Sequence, residues 1–171
     1  ITSWVAGALI WKWVLSPEYG AINNILALFG IEGPSWLQSS KWAMPAIVLA
    51  SVWKDMGYFG LMLMSGLQGI NQEYYDAAAI DGADKIKQFT RITLPLLTPT
   101  LFFVLIISLI NSFQLFTQIM IMTPDGGPLG STMVMVERIY KCGFRYYEMG
   151  TAAAYSWILF AILLLLTMVQ M

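Results

Sequence analysis

The sequence predicts an all-α fold, a polytopic membrane helix bundle, and three observations carry that prediction. Hydrophobic residues fill 58% of the 171 positions. Charged residues fill 11%, about half the share of a soluble domain. Two long stretches, Ile92 to Pro124 and Met149 to Met171, contain no charge at all. In lipid only helices and closed barrels satisfy their own backbone, and these runs have the length of helices rather than of barrel strands.

The chain reads as one transmembrane domain, 1–171, with spans near 1–15, 42–67, 96–122 and 149–171. It opens ITSWVAGALI and closes LLLLTMVQM, both apolar, so it is expected to be a piece of a longer membrane protein. The first span is expected to be the tail of a helix begun upstream, with Lys12 near its end, where an ammonium can snorkel. The second is interrupted by Lys54 and Asp55, where a helix break aided by Gly57 and Gly60 is expected to open the pair to an aqueous cleft. The third, Leu96 to Met122, would run roughly 40 Å as one helix, more than the roughly 30 Å of bilayer hydrocarbon. Met149 to Met171 is the fourth.

Three polar segments separate the spans. Segment 16–41 holds helix stops and a short apolar patch. Segment 123–150 opens on Asp125, Gly126, Gly127 and Pro128, a turn by composition, and then reads as a surface helix. Alternation of helix and loop puts these two on one side of the membrane and 71–95 on the other. An interfacial aromatic belt of Trp11, Trp13, Trp36, Trp42, Tyr146 and Tyr147 agrees. Lys and Arg do not orient the protein, since Lys85, Lys87 and Arg91 balance Arg138, Lys141 and Arg145.

Segment 71–95 carries the most information. Tyr74 to Ile80 favours helix and includes three consecutive alanines, a small surface suited to close packing. Gly82 can end that helix in a left-handed conformation. Asp84 can cap a second one, which places Ile86, Phe89 and Ile92 on one face. Pro95 would permit a sharp re-entry into the membrane. The expected product is a helix–turn–helix knob on the membrane surface, with an apolar face available to a soluble partner. Tyr74, Tyr75 and Phe89 are expected to pack the knob onto the membrane helices.

A polar stripe is the second candidate. Asn111, Gln114 and Gln118 fall at i, i+3 and i+7 of the third span, with Ser108 one turn before and Phe113 and Phe116 beside them. The stripe suits a solute path, with the rings as stacking surfaces, and equally suits hydrogen bonding between helices.

Composition excludes several functions. Nine basic and ten acidic residues leave no basic stripe to displace counterions, so nucleic acid is not an expected partner. With no histidine and one cysteine, Cys142, no internal disulfide, zinc site or histidine-based catalysis can be built. Cys142 reads as a small packing residue. The spans offer no paired carboxylates, and no GxxxxGK[ST] occurs, so intrinsic ATP hydrolysis is excluded. A channel or secondary transporter working alone remains the alternative; of relay-type residues within the spans it would have only Lys54 and Asp55.

The spacing acidic-Ala-Ala, three residues, Gly, nine residues, Ile, any residue, Leu-Pro occupies Asp76, Ala77, Ala78, Gly82, Ile92, Leu94 and Pro95. It resembles the EAA loop of permease subunits in bacterial ATP-binding-cassette importers. Asp76 stands where that family usually has Glu, keeping the charge with one methylene less reach. WKWVLSPEYGAINNIL, FTRITLPLLTPTLFF, SFQLF, TPDGGPLGST and YEMGTAAAYS extend the resemblance over essentially the whole chain. They are similar to the carbohydrate-uptake branch, most of all to the first (MalF-like) of its two permeases.

The resemblance implies a type I importer permease fold, in a multi-pass subunit of the bacterial inner membrane. The implied partners are a second permease in a heterodimer, two ATP-binding-cassette ATPase subunits, an extracytoplasmic solute-binding protein and the bilayer. No cofactor is expected on this chain, ATP and Mg being held by the ATPase. The seven motif residues would seat in the ATPase, with 71–95 cytoplasmic and 16–41 and 123–150 outside. Solutes implied range from maltodextrins and other oligosaccharides to monosaccharides and glycerol phosphate.

Overall fold

The computed structural model describes residues 2–170; Ile1 and Met171, the outermost positions of the expected first and last spans, lie outside the described residues. Every element among the described residues is helical. In order they are α1 (Trp4–Val14), α2 (Ala21–Leu28), α3 (Ala43–Gln68), α4 (Glu73–Ile80), α5 (Lys85–Gln88), α6 (Leu94–Phe113), α7 (Thr117–Met122), α8 (Met135–Tyr140) and α9 (Met149–Gln170). Wide π turns occupy Phe89–Thr93 and Lys141–Arg145, and tight turns with left-handed central residues occupy Pro124–Gly126 and Pro128–Gly130. Among the described residues, three helical stretches are long and apolar enough to cross a membrane: Ala43–Gln68, Lys85–Phe113 and Met149–Gln170. Helix α1 has 11 residues, roughly 16 Å of rise, about half the hydrocarbon thickness.

The chain divides into two compact units. One comprises the residues up to Asp55 together with those from Ile110 onward; the other is Met56–Leu109. In the first unit, the core is made of Ala8 and Leu15 from α1 and its end, Ala46, Ile47 and Ala50 from α3, and Ile119 and Met122 from α7. The close backbone neighbour of α1 in this core is α7. Trp11 meets Trp53 edge to face at 5.8 Å, and Trp36 meets Trp42 likewise at 5.2 Å. Asn23 ties the loop after α1 together. It accepts from the Trp36 indole at 2.7 Å and donates to the carbonyls of Pro17 and Pro34. Gly20 has no room for a side chain, because a Cβ would strike the carbonyls of Val14 and Ser16. Later in the same unit α8, its π turn and α9 pack together, Gly143 lying against Ala152.

In the second unit α3 approaches α6 at Gly66. A Cβ at Gly66 would come within 2.7–2.9 Å of Thr100 and Leu97 side-chain atoms, so glycine sets that approach. The Tyr75 hydroxyl lies 2.9 Å from Thr93 Oγ1 and fastens α4 to the start of the long rod.

Four expectations are corrected. The helix does not break at Lys54 and Asp55: α3 is continuous over 26 residues through Gly57 and Gly60. Glycine costs about 1 kcal/mol in a helix, too little to interrupt a backbone that has no water to turn to. Pro95 makes no sharp re-entry, since Lys85–Phe113 is helical throughout. The π turn that ends with the Leu94 amide on the Phe89 carbonyl widens the backbone just before the proline, where a tight α turn would clash with its ring.

The helix expected over 96–122 ends at Phe113, and α7 restarts at Thr117. The Gln114 amide is shared between the carbonyls of Ile110 and Asn111, and Phe116 has non-helical dihedrals. The redirected α7 packs on α1 and buries Ile119 and Met122, contacts a straight helix would forgo. Segment 123–150 is not a surface helix, because Glu137, Lys141, Cys142 and Gly143 are buried.

The first unit's core yields a test. Ile47 is fully buried in this cluster, so Ile47→Ala is expected to cost about 2–5 kcal/mol through the cavity it leaves. A fall in the thermal midpoint of the detergent-solubilised full-length protein would register it, whereas the exposed control Val48→Ala should leave the midpoint nearly unchanged.

Candidate functional site

The knob is built by local hydrogen bonding. Asn71 Oδ1 accepts from the Glu73 amide at 3.1 Å and starts α4. At its other end the Ala83 amide donates to the Ala78 carbonyl at 2.9 Å and the Gly82 amide to the Ala79 carbonyl at 3.1 Å. This is a Schellman closure, and it requires the left-handed φ of +74° seen at Gly82. A Cβ at Gly82 would meet nothing within 4 Å, so the glycine is needed for its dihedral and not for space. Asp84 then accepts from the Lys87 amide at 2.9 Å and caps α5.

Asp76, Ala77 and Gly82 are exposed and Ala78 is half-buried. Asp76 receives the Gln72 side-chain amide at 3.3 Å. Ile92 is half-buried in the π turn, while Leu94 and Pro95 are exposed at the start of α6. The two halves of the motif are joined through their neighbours, by the Tyr75–Thr93 contact. That contact was not legible in sequence, where three aromatics were candidates for the same task. Tyr74 and Phe89 stay more than half exposed, at 56% and 55%, against the expectation that they pack inward. Ile80 and Ile86 are exposed too, at 88% and 74%. The knob therefore presents isoleucine, phenylalanine and tyrosine beside the charges of Asp76, Asp81 and Lys85.

The polar stripe does not lie on one helix. Asn111 and Phe113 end α6, Gln114 lies in the break, and Gln118 sits in α7. Asn111 and Gln114 are exposed and Phe113 is 39% exposed, but Gln118 is 4% exposed. Asn111 and Gln114 thus present amide groups outward at the end of α6, and Gln118 belongs to the packed part of the first unit.

Sequence reasoning treated Asp125 as turn chemistry and missed a charge cluster around it. Glu137 and Lys141 stand at i and i+4, 3.5 Å apart and both buried. Lys141 Nζ is 3.8 Å from Asp125 Oδ1, and the Arg145 guanidinium also bonds that carboxylate. Asp125 is held with φ at +63° by a turn closed from the Thr132 amide to the Gly126 carbonyl, at 2.9 Å, and by the buried Thr123 and Thr132 hydroxyls, also 2.9 Å apart. The i, i+4 spacing of Glu137 and Lys141 was visible in the sequence; that Asp125 folds back onto it was not. Lys54, in mid-helix, lies 4.4 Å above the Trp4 ring, which gives its charge a partner without any helix break.

Residues 3–171 match the family described as binding-protein-dependent transport system inner membrane component. The chain is 37% identical over 163 residues to the sulfoquinovosyl glycerol transport system permease protein SmoG of Agrobacterium fabrum, covering 95% of this chain and 53% of the relative. It is 35% identical over 167 residues to the probable ABC transporter permease protein YesP of Bacillus subtilis, covering 96% and 53%. It is 36% identical over 163 residues to the sn-glycerol-3-phosphate transport system permease protein UgpA of Shigella flexneri, covering 95% and 55%. The chain thus spans about half the length of the curated relatives it matches. Its fold superposes, with a TM-score of 0.88 and 25% identity, on a chain from the crystal structure of a bacterial ABC transporter that imports the acidic polysaccharide alginate, covering 99% of this chain and 59% of that one. With the family match running almost end to end, the chain belongs to the inner membrane components of binding-protein-dependent transport systems.

Proposed function

We propose that this chain is the core of a permease subunit of an ATP-driven sugar importer in the bacterial inner membrane, non-catalytic itself and moved by a separate ATPase. One observation carries the reading. A rigid, closed helix–turn–helix knob exposes apolar side chains that nothing in its own unit covers, at the positions of the EAA spacing. Exposed isoleucines beside fixed charges suit a protein groove better than water.

On this reading the 71–95 knob is cytoplasmic. Asp76, Ala77, Ala78 and Gly82 enter the ATPase groove, and Ile92, Leu94 and Pro95 carry its motion into α6. ATP and Mg belong to the ATPase pair. A second permease completes the path, and a solute-binding protein delivers cargo from outside. A relative named for sulfoquinovosyl glycerol, another named for sn-glycerol 3-phosphate and a structural neighbour that imports alginate all support a polyhydroxylated solute. Asn111 and Gln114, exposed at the end of α6, supply amides that suit hydroxyl groups along that path.

The docking role is tested by co-purifying the ATPase with the full-length subunit. Gly82→Val strains the left-handed turn by about 1–2 kcal/mol and is expected to lose the ATPase. Gly82→Asn, which tolerates that dihedral, should retain it. Ile86→Glu should weaken capture about tenfold with no change in the subunit's own melting. ATPase capture unchanged in both Gly82→Val and Ile86→Glu would refute the docking surface.

The path is tested separately. Asn111→Ala combined with Gln114→Ala is expected to cut solute uptake by the reconstituted importer at least about tenfold, the scale of losing hydrogen bonds to a bound solute. ATPase capture should be untouched, and full uptake in the double variant would remove these two residues from the path.

A further inference from the structure

The rod that leaves the knob begins with positive charge. Within 71–95 the last acid is Asp84, and the bases Lys85, Lys87 and Arg91 all follow it. Asp84 is engaged on the Lys87 amide as the cap of α5. Lys87 and Arg91 are exposed, and among the described residues neither side chain makes an ion pair or a hydrogen bond.

The rod has two sides. Thr93 and Leu97 are buried, Thr93 against Tyr75 of α4 and Leu97 beside Gly66 of α3. Leu94 and Thr98 are exposed. Arg91 stands three and seven residues before that exposed pair, and Lys87 four before Arg91, so helical spacing lines up all four on the open side. Depth follows from length. Segment 92–113, free of charge, rises roughly 33 Å as helix, against roughly 30 Å of bilayer hydrocarbon, which puts Arg91 at the boundary. Lys87 lies roughly 6 Å further out, and the headgroup layer on each face is roughly 5–8 Å deep. A soluble partner would have to enter that layer to reach Arg91, whereas lipid phosphates already occupy it.

We propose that Lys87 and Arg91 form a contact for the phosphate of anionic phospholipids in the leaflet on the side of the knob. Arg91 offers a planar fork of donors to phosphate oxygens, and Lys87 a point charge. A headgroup held there fixes the depth of the π turn Phe89–Thr93, because Arg91 is part of that turn. The contact is independent of the solute carried and of where an ATPase docks.

The test places a reporter beside the pair. Thr98→Cys in the full-length subunit carries a bimane label, and the wild type, whose Cys142 is buried, is the labelling blank. Quenching by brominated phosphatidylglycerol is compared with quenching by brominated phosphatidylcholine, each diluted into phosphatidylcholine vesicles, with and without the ATPase. One Lys or Arg near an anionic surface is worth about fivefold, so phosphatidylglycerol is expected to be enriched at the label at least about fivefold over phosphatidylcholine. Lys87→Gln combined with Arg91→Gln should bring the two lipids level. Lys87→Arg should keep the preference, and so should Lys41→Gln, which removes an exposed cation of the other unit.

Equal quenching by the two lipids in the otherwise unaltered subunit overturns the contact, and so does enrichment that survives the double Gln variant. Enrichment that disappears whenever the ATPase is bound gives the pair to the protein partner instead. Loss of enrichment on adding inorganic phosphate, but not on adding chloride at the same ionic strength, makes the pair a site for free phosphate and overturns the lipid assignment.

Discussion

The backbone is the governing constraint. A chain this apolar has little water to satisfy its amides and carbonyls, so each segment must bond to itself, and helix is what the sequence can make. Several departures from helix fall where other donors and acceptors are at hand. At Gly82 the closing amides return to the carbonyls of Ala78 and Ala79. Around Asp125 the turn is closed by the Thr132 amide and by two buried hydroxyls. At Pro95 the missing N–H falls next to a π turn, where the hydrogen-bonding frame is already shifted. Even the end of α6 is softened by an amide shared between two carbonyls. The same logic keeps α3 whole through three glycines and two charges.

This constraint divides what could be read from sequence from what could not. The apolar runs gave the helices because period and length are local properties. The Gly82 turn and the Asp84 cap were legible for the same reason: a helix end needs an acceptor for its amides and a left-handed residue for its closure, and both were written within a few positions. The break after Phe113 was not legible. Nothing in SFQLF forbids helix, and the cause lies almost a hundred residues upstream, where Ala8 and Leu15 offer α7 a surface. Pro95 misled because proline was treated as a stop, when a π turn can carry the chain past it. Lys54 misled likewise, since its partner is a tryptophan ring 50 positions away in the chain.

The candidate sites divide along the same line. The EAA spacing is a short-range pattern, and the knob that presents it is closed by bonds within 18 residues. The polar stripe assumed a straight helix, and a long-range packing event separated Gln118 from Asn111 and Gln114. The charge cluster needed Asp125 to fold onto Glu137 and Lys141, which only the strained turn at 123–130 brings about. Positive φ at Asp125 and Leu129, both non-glycine, costs energy that must be recovered elsewhere. The ion pairs on Asp125 are a direct means of recovering it.

Stiffness links the knob to what it would move. A foot that bends under load transmits nothing, so its internal bonds decide whether it can act as a lever. Its turn is closed twice by backbone and its second helix is capped by Asp84. From Lys85 the chain continues without a non-helical residue into α6. That rod carries a π turn at Phe89–Thr93 and a proline, Pro99, inside α6, and at the π turn Tyr75 reaches across from α4 to Thr93, which is buried. The bond spans the point where a push on α4 would otherwise be absorbed as bending. A single hydroxyl pair contributes only about 1 kcal/mol to stability, and here it ties α4 to the π turn. The small residue at Gly66 lets α3 lie close against Leu97 and Thr100, a turn or so beyond that section.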